Sequence, residues 1–106
     1  MATGRLGTSD LTAGLLTTVY TCPSDKFTVA SISVCNRGTQ PTTIRLAIAT
    51  LTTPTNAEYI EFDTELLPKN VLERTGIMLS GDQKLVIRSS TSTVSAVAFG
   101  IETSVT

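Results

Sequence analysis

The sequence contains no histidine and no tryptophan, and its aromatic residues are two tyrosines and three phenylalanines. Histidine is the commonest general base and the commonest transition-metal ligand, so its absence argues against most hydrolytic and metal-dependent mechanisms. A serine nucleophile would need a lysine as its base, and none of Lys26, Lys69 and Lys84 completes a Ser-x-x-Lys arrangement. We therefore expect a protein that is not an enzyme and that uses no cofactor.

Cysteine is also scarce, with Cys22 and Cys35 as the two examples. Two cysteines do not define a disulfide framework, and without histidine they supply too few soft ligands for zinc. A catalytic thiol would lack its usual histidine partner. The two could pair with each other, but we favour unpaired thiols, buried as small apolar side chains.

The chain lacks a surplus of either charge, since its formal net charge is −1 and no segment is a run of like charges. Electrostatic binding to nucleic acid needs a basic surplus or patch, so we expect no nucleic-acid partner. Residues 1–7 lack the apolar run of a signal peptide, and no segment approaches the roughly 20 apolar residues of a membrane span. We therefore expect no membrane partner. We expect the protein to be made and used in a cytosol, or assembled there into a particle.

Threonine, serine, valine, isoleucine and alanine are what the chain has in abundance, and the β-branched residues among them favour strands. Its 106 residues fit a single domain. Residues 1–14 are small, polar and glycine-containing, so we predict an N-terminal arm there. Residues 15–106 then form the domain.

Short segments of strand character recur along residues 15–106, with turn residues between them. In residues 27–34, alternation places Ala30, Ile32 and Val34 on a core face. Residues 42–49 and 58–65 also alternate, and in the second of these we expect Ile60 and Phe62 to point inward. Gly81-Asp82 has the chemistry of a two-residue hairpin turn. The spacing predicts seven or eight antiparallel strands in a β-sandwich or jelly roll, with little or no helix.

The last predicted strand, over residues 94–102, has no clearly polar face. Val94, Ala96, Ala98 and Gly100 lie on one side, and Ser95, Val97, Phe99 and Ile101 lie on the other. Such a strand is either central in the sandwich, which we favour, or covered by a partner subunit. Val97, Phe99 and Ile101 are therefore candidate interface residues.

Acidic residues are densest in residues 58–65, where a regular strand would place Glu61, Asp63 and Glu65 on one face. Neighbours on one face lie about 6.6 Å apart, a spacing open to a Ca²⁺ site or to paired catalytic carboxylates. Any acidic strand produces the same spacing. We favour a solvated outer face, and these three are weak candidates for metal ligands.

Four further residues are candidates for contact with other subunits: Arg5, Leu6, Arg37 and Arg74. Arginine is enriched in interfaces because its planar donor fork binds carboxylates with two hydrogen bonds. For Arg74, beside Glu73, and for Arg37, beside Gly38, a solvated surface position is the favoured alternative.

Several segments resemble small virion structural proteins of tailed phages, especially cyanophages. They cover nearly the whole chain and are MATGRLG (1–7), VYTCP (19–23), FTVAS (27–31), CNRG (35–38), TPTNAEY (53–59), VLERTG (71–76) and GIET (100–103). The resemblance implies a place in a phage particle, as a capsid decoration (cement) protein or as a tail- or baseplate-associated subunit.

Such a protein would bind the major capsid protein or a tail protein and would form a homo-oligomer, with a trimer favoured. Its location would be the virion, assembled in the host cytoplasm. A receptor- or carbohydrate-binding β-module, in one version Ca²⁺-dependent through Glu61–Glu65, is the alternative from a different class. A hydrolase is the third hypothesis.

Overall fold

The computed structural model describes residues 3–105, and the predicted arm therefore has Met1 and Ala2 outside the described residues. Within residues 3–105 there are eight strands and one 3₁₀ turn, Asn56–Glu58. The strands are β1 (Thr3–Asp10), β2 (Thr17–Thr21), β3 (Lys26–Asn36), β4 (Thr42–Ala49), β5 (Tyr59–Leu66), β6 (Val71–Leu79), β7 (Lys84–Ser89) and β8 (Val94–Ser104). The all-β prediction is confirmed.

The described strands form two antiparallel four-stranded sheets that pack face to face as a β-sandwich. Sheet A has the order β1-β8-β3-β6, and sheet B has the order β2-β7-β4-β5. The pairing is nested along the sequence, with the first described strand paired to the last: β1 with β8, β2 with β7, β3 with β6 and β4 with β5. Successive pairs alternate between the sheets, which is the pattern of a jelly roll.

The core lies between the two sheets and consists of aliphatic side chains from the inner face of each. Strand β3 contributes Ala30, Ile32 and Val34, all at most 1% exposed, as the alternation predicted. Strand β8 contributes Val94, Ala96 and Ala98, each fully buried. Strand β8 lies between β1 and β3, so the favoured prediction of a central strand is also right.

The predicted N-terminal arm is wrong over most of its length, because Thr3–Asp10 forms the edge strand β1. Its backbone pairs with β8 from Thr3 opposite Ile101 to Asp10 opposite Ser95. Leu11 follows directly, is 2% exposed, and donates its N–H to the carbonyl oxygen of Val94 over 2.9 Å. Polar, glycine-containing residues suffice here because ladder hydrogen bonds use the backbone and an edge strand buries few side chains.

The Gly81-Asp82 hairpin is also wrong, although the turn itself exists. The Gln83 N–H donates to the Ser80 carbonyl over 3.1 Å, and Asp82, not Gly81, has positive φ, at 70°. The turn carries the chain from β6 in sheet A to β7 in sheet B, so the flanking strands do not pair. Gly81 is needed for packing, since a Cβ there would lie 2.6 Å from the Ser24 carbonyl oxygen.

Strand β5 departs from regular alternation, which overturns the inward placement of Phe62. Its register against β4 shifts twice, between the pairs Ile44–Thr64 and Leu46–Glu61 and between Leu46–Glu61 and Ala47–Tyr59. Each shift inserts one extra residue on β5, and each extra residue moves the following side chains to the other face. Phe62 is consequently 56% exposed, and Asp63 has φ of 54°.

The two cysteines are unpaired, as predicted. Cys22 is completely buried, and its thiol accepts a hydrogen bond from the Thr28 hydroxyl over 3.2 Å. Cys35 is only half-buried, because it lies on the outward side of β3. The prediction of burial therefore holds for Cys22 and is wrong for Cys35.

Candidate interaction surface

The outward face of sheet A is an unusual surface for an antiparallel sheet. On its central strands, the residues that alternate with the buried core positions are Val29, Ser31, Ser33 and Cys35 of β3 and Ser95, Val97, Phe99 and Ile101 of β8. None of these outward side chains on the two described strands is charged. A sheet whose outer face is exposed to water normally alternates apolar inside with polar outside. We call this surface the outer face of sheet A.

Apolar side chains on this face are open to solvent and lie next to one another. Val29 is paired with Ile101 of β8 on one side and with Met78 of β6 on the other. The three are 43%, 53% and 57% exposed, respectively. Phe99, 37% exposed, lies on the same face of β8 two residues from Ile101. Contiguous exposed apolar patches are a common feature of surfaces that contact other macromolecules.

The charged residues of the outer face of sheet A lie on its edge strands and differ in sign. Arg5 on β1 is exposed and lies opposite Phe99. Glu73 on β6 is exposed and lies opposite Ser33. Asp10, at the far end of β1, is bound by Arg37 over 2.7 Å. The face is thus uncharged along its middle, with Arg5 at one edge and Glu73 at the other.

The predicted interface candidates separate into two groups in the structure. Arg5, Val97, Phe99 and Ile101 lie together on the outer face of sheet A. Leu6 does not join them, because it is half-buried and packs against the core. Sequence alternation alone located the Val97, Phe99 and Ile101 row. It missed Val29 and Met78, whose contribution depends on the pairing of three strands.

Arg37, in a loop, and Arg74, on the edge strand β6, both form ion pairs within the chain. Arg37 pairs with Asp10 near the end of β1, with its side chain 49% exposed. Arg74 faces the other sheet and forms an ion pair with Glu61 of β5, joining the edge strands of the sandwich. Arg74 is therefore directed away from the outer face of sheet A.

The acidic residues of β5 do not converge. Glu61 receives hydrogen bonds from Thr64 and Arg74, while Asp63 accepts two from Arg45, at 2.6 and 3.1 Å. Glu65 is exposed. Among the residues described, no group of three or more His, Cys, Asp or Glu side chains is placed to hold a metal ion. The bulges in β5 separate the residues that a regular strand would have aligned.

On the outward face of sheet B, the negative charge of Asp63 on β5 offsets the repulsion between two neighbouring arginines. Arg45 and Arg88 are direct cross-strand neighbours, which is a repulsive arrangement for like charges. Asp63 compensates: the hydrogen bonds from Arg45, and the nearby charge of Arg88, lower the pKa of the Asp63 carboxyl. The outer face of sheet B thus carries charged side chains on its central strands, in contrast to that of sheet A.

An aromatic groove on sheet B was not predicted from the sequence. Tyr59 and Phe62 meet edge to face, with ring centroids 5.1 Å apart, and with Asn56 they line an open cavity of about 430 Å³. The Arg45 guanidinium lies over one face of the Phe62 ring, 4.1 Å from its centroid. No sequence signal indicates this groove, because it depends on the bulges that turn Phe62 outward.

Buried polar side chains join the two sheets at one end of the core. Tyr20 of β2, 8% exposed, donates its hydroxyl hydrogen to Glu102 of β8 and lies 2.9 Å from the Thr28 hydroxyl of β3. Glu102 continues the inward row of Val94, Ala96 and Ala98. That alternation was the available sequence signal for a buried carboxyl group.

Comparisons with protein-family models, curated proteins and solved structures find no match to this chain. Within residues 3–105, no helix is both long and apolar enough to span a bilayer. The geometry of the surfaces therefore carries the functional interpretation.

Proposed function

We propose that this protein is a non-enzymatic structural subunit of a tailed-phage particle, in which it decorates or cements the capsid. The observation that carries the proposal is the outer face of sheet A. Its two central strands present no charge, and Val29, Met78, Phe99 and Ile101 are exposed. Covering this face with another protein would remove apolar surface from water, at about 25 cal/mol for each Å².

The topology supports the same class of function. Jelly rolls are recurrent in viral capsid proteins and also in lectins. A fold hosts many functions, so the topology supports the class by analogy and the surface supports the mode of action. The resemblance of segments such as VYTCP (19–23) and VLERTG (71–76) to cyanophage virion proteins agrees with this assignment.

The chemistry of the chain supports a role without catalysis. The sequence has no histidine, and the Cys22 thiol is completely buried. Glu61 and Asp63 are bound to arginines on different strands, so they do not form a pair of carboxylates around a substrate. We therefore place the function in binding between proteins.

The expected partners are the major capsid protein or, in a second position within the particle, a tail or baseplate protein. The virion is then the site of function, with assembly in the host cytoplasm. A homo-oligomer belongs to this proposal, and the trimer favoured by the sequence resemblance is one form that it allows.

Cross-linking of purified particles, followed by mass spectrometry, tests the proposal. We expect the chain to be present in the particles and to cross-link to the major capsid protein. A Phe99→Asp variant should be lost from particles, whereas Phe62→Asp, a matched change at an exposed phenylalanine of sheet B, should be retained. Absence of the wild-type chain from purified particles would refute the proposal.

The aromatic groove favours a second candidate, a carbohydrate- or receptor-binding module. Asn56, Tyr59 and Phe62 combine an amide, a phenol and an exposed ring, which suits a neutral sugar, and lectins share the jelly roll. The geometry gives no support to the Ca²⁺-dependent version, because Glu61, Asp63 and Glu65 do not form a group placed to hold a metal ion among the described residues.

NMR titration with a panel of oligosaccharides tests this candidate. Binding should shift resonances of Tyr59 and Phe62, and Tyr59→Ala should abolish it while Phe99→Ala leaves it intact. A panel that leaves every resonance in place argues against the module.

A further inference from the structure

We infer that the outer face of sheet A packs against the same face of a second copy of this chain, around a two-fold axis that runs parallel to the strands between β3 and β8. The inference rests on the proposed role of this face as an interaction surface and names a second copy of the chain as its occupant, so that in a particle the dimer would contact the capsid through its other surfaces. Two-fold pairing is the commonest arrangement of homo-oligomers, and each contact then occurs twice.

The shapes of the two central strands are complementary under this symmetry. The outward row of β8 is bulky, with Val97 and Phe99, while the outward row of β3 is small, with Ser31 and Ser33. In the sheet, Phe99 lies opposite Ser31 and Val97 lies opposite Ser33. A two-fold axis midway between the strands exchanges them, so Phe99 of one copy lies over Ser31 of the partner subunit, and Val97 over its Ser33.

Bulky side chains therefore meet small ones across the interface, as interdigitated sheets require. A two-fold axis parallel to the strands keeps the strand directions of the two copies aligned, so each row of side chains lies over a row at the same height in the partner. The Phe99 and Val97 contacts lie on the two strands that flank the axis. At the end of the same rows, Ile101 meets Val29, which keeps the contact apolar.

Charges at the edges agree with the same symmetry. Exchange of β3 with β8 also places β1 over β6, so the Arg5 edge of one copy faces the Glu73 edge of the other. Arg5 shares a row with Phe99 and Ser31, and Glu73 shares the adjacent row with Ser33. One row is about 6.6 Å along a strand, a distance that an extended arginine side chain spans. The dimer would contain this ion pair twice.

The area is sufficient for a specific contact. Four strands about 4.8 Å apart and about eight residues long cover roughly 500 Å² of sheet, or about 1,000 Å² counting both copies. That value is at the lower limit expected of a biological interface, about 1,000 Å². A partner with a strongly charged surface would fit poorly, since the middle of the face offers no charge to pair.

Swapping the large residue Phe99 and the small residue Ser31 tests the inference. The mass and the dissociation constant of the full chain are measured by analytical ultracentrifugation. Wild-type protein should be a dimer. Ser31→Phe places two phenylalanines in contact and Phe99→Ser leaves a void, so each should weaken dimerisation about tenfold or more. The double variant carrying both changes restores one bulky and one small residue in each contact and should dimerise nearly as well as wild type.

Charge exchange tests the edges independently. Arg5→Glu should weaken the dimer, and adding Glu73→Arg should restore it, while Phe62→Ser on sheet B should change nothing. Circular dichroism and thermal unfolding confirm that each variant is folded. A monomer, a trimer, or a dimer that these substitutions leave unchanged would overturn the inference. Such a result leaves the proposed virion role standing, because particle cross-linking decides that role separately.

Discussion

Tyr20 of β2 and Glu102 of β8 share a buried hydrogen bond that connects sheet B to sheet A. Burial, followed by the hydrogen bond to Glu102, raises the pKa of the Tyr20 hydroxyl. The Thr28 hydroxyl, 2.9 Å from that of Tyr20, completes the contact with β3. Since both Tyr20 and Glu102 are less than a tenth exposed, neither loses its partner without a cost in desolvation.

The first prediction concerns this connection. Tyr20→Phe keeps the ring and removes the hydroxyl, so it should lower the free energy of unfolding by about 1–3 kcal/mol, measured by urea denaturation. Tyr59→Phe, at the half-buried groove of sheet B, is the control and should change stability by less than about 0.5 kcal/mol.

Alkaline titration tests the burial of the Tyr20 hydroxyl beside Glu102. A pKa raised in the folded state adds stability that is present below the unfolded value, about 10, and is lost as pH rises above it. Wild-type protein should lose stability above about pH 10, and Tyr20→Phe should lose less over the same range. Identical slopes for the two proteins would contradict this account.

The second prediction concerns Asn36, which is completely buried at the end of β3. Its amide nitrogen donates to the carbonyl oxygens of Gln40 and Leu66, and its amide oxygen accepts from the Gly38 N–H and the Thr93 hydroxyl. Asn36→Ala removes all four hydrogen bonds, of which the one to the Leu66 carbonyl oxygen is buried, and should cost at least about 2 kcal/mol in denaturation experiments.

An exposed asparagine provides the control for Asn36. Asn70→Ala removes a side chain that is open to solvent, and the effect should stay within about 0.5 kcal/mol. Comparable losses for Asn36→Ala and Asn70→Ala would show that the buried hydrogen bonds contribute little.

The third prediction concerns close approach between β8 and β3. A Cβ on Gly100 would lie 2.1 Å from the Val29 carbonyl oxygen, so Gly100→Ala must displace the backbone of a central strand. We expect a loss of about 1–3 kcal/mol or more, seen as a lower thermal midpoint. Ser95→Ala, at an outward position of β8, should leave the midpoint nearly unchanged.

The fourth prediction concerns acid stability. The Thr64 hydroxyl, and then the Arg74 guanidinium, lower the pKa of the Glu61 carboxyl. A lowered folded-state pKa gives stability that is present above the unfolded value, about 4.3, and is lost as pH falls. Wild type should therefore be more stable than Glu61→Gln at pH 7, and the difference should shrink below about pH 4. Glu65→Gln, at an exposed position of β5, is the control and should change stability at pH 7 by less than about 0.5 kcal/mol.

Alternation of side chains was sufficient to predict the central strands. Ala30, Ile32 and Val34 are buried as expected, and Val97, Phe99 and Ile101 lie on one outward face, because β3 and β8 pair without register shifts. Where an extra residue enters a strand, the same rule fails. Phe62 is outward because of the β5 bulges, and no local residue preference specifies them.

The remaining failures concern pairing, which is a property of the whole chain. Strand β1 has few apolar residues, and its place in sheet A depends on backbone hydrogen bonds to a strand almost the whole chain length away. The chemistry of Gly81-Asp82 specifies a tight turn but not whether the next strand pairs with the previous one or crosses to the other sheet. To predict the aromatic groove and the Tyr20–Glu102 contact, one would need to know both where the strand bulges lie and which distant strands pair.

Nested pairing of the strands has a consequence for the timing of folding. Strand β3 has β8 as one of its neighbours, and β1 has its ladder on β8, so sheet A stays incomplete until Val94–Ser104 has left the ribosome. Contacts between such distant segments make folding slow, on the millisecond to second scale of all-β domains. During that interval the nascent chain exposes the apolar inner faces of β3 and β6, so the unfinished polypeptide is more prone to aggregation than the folded domain.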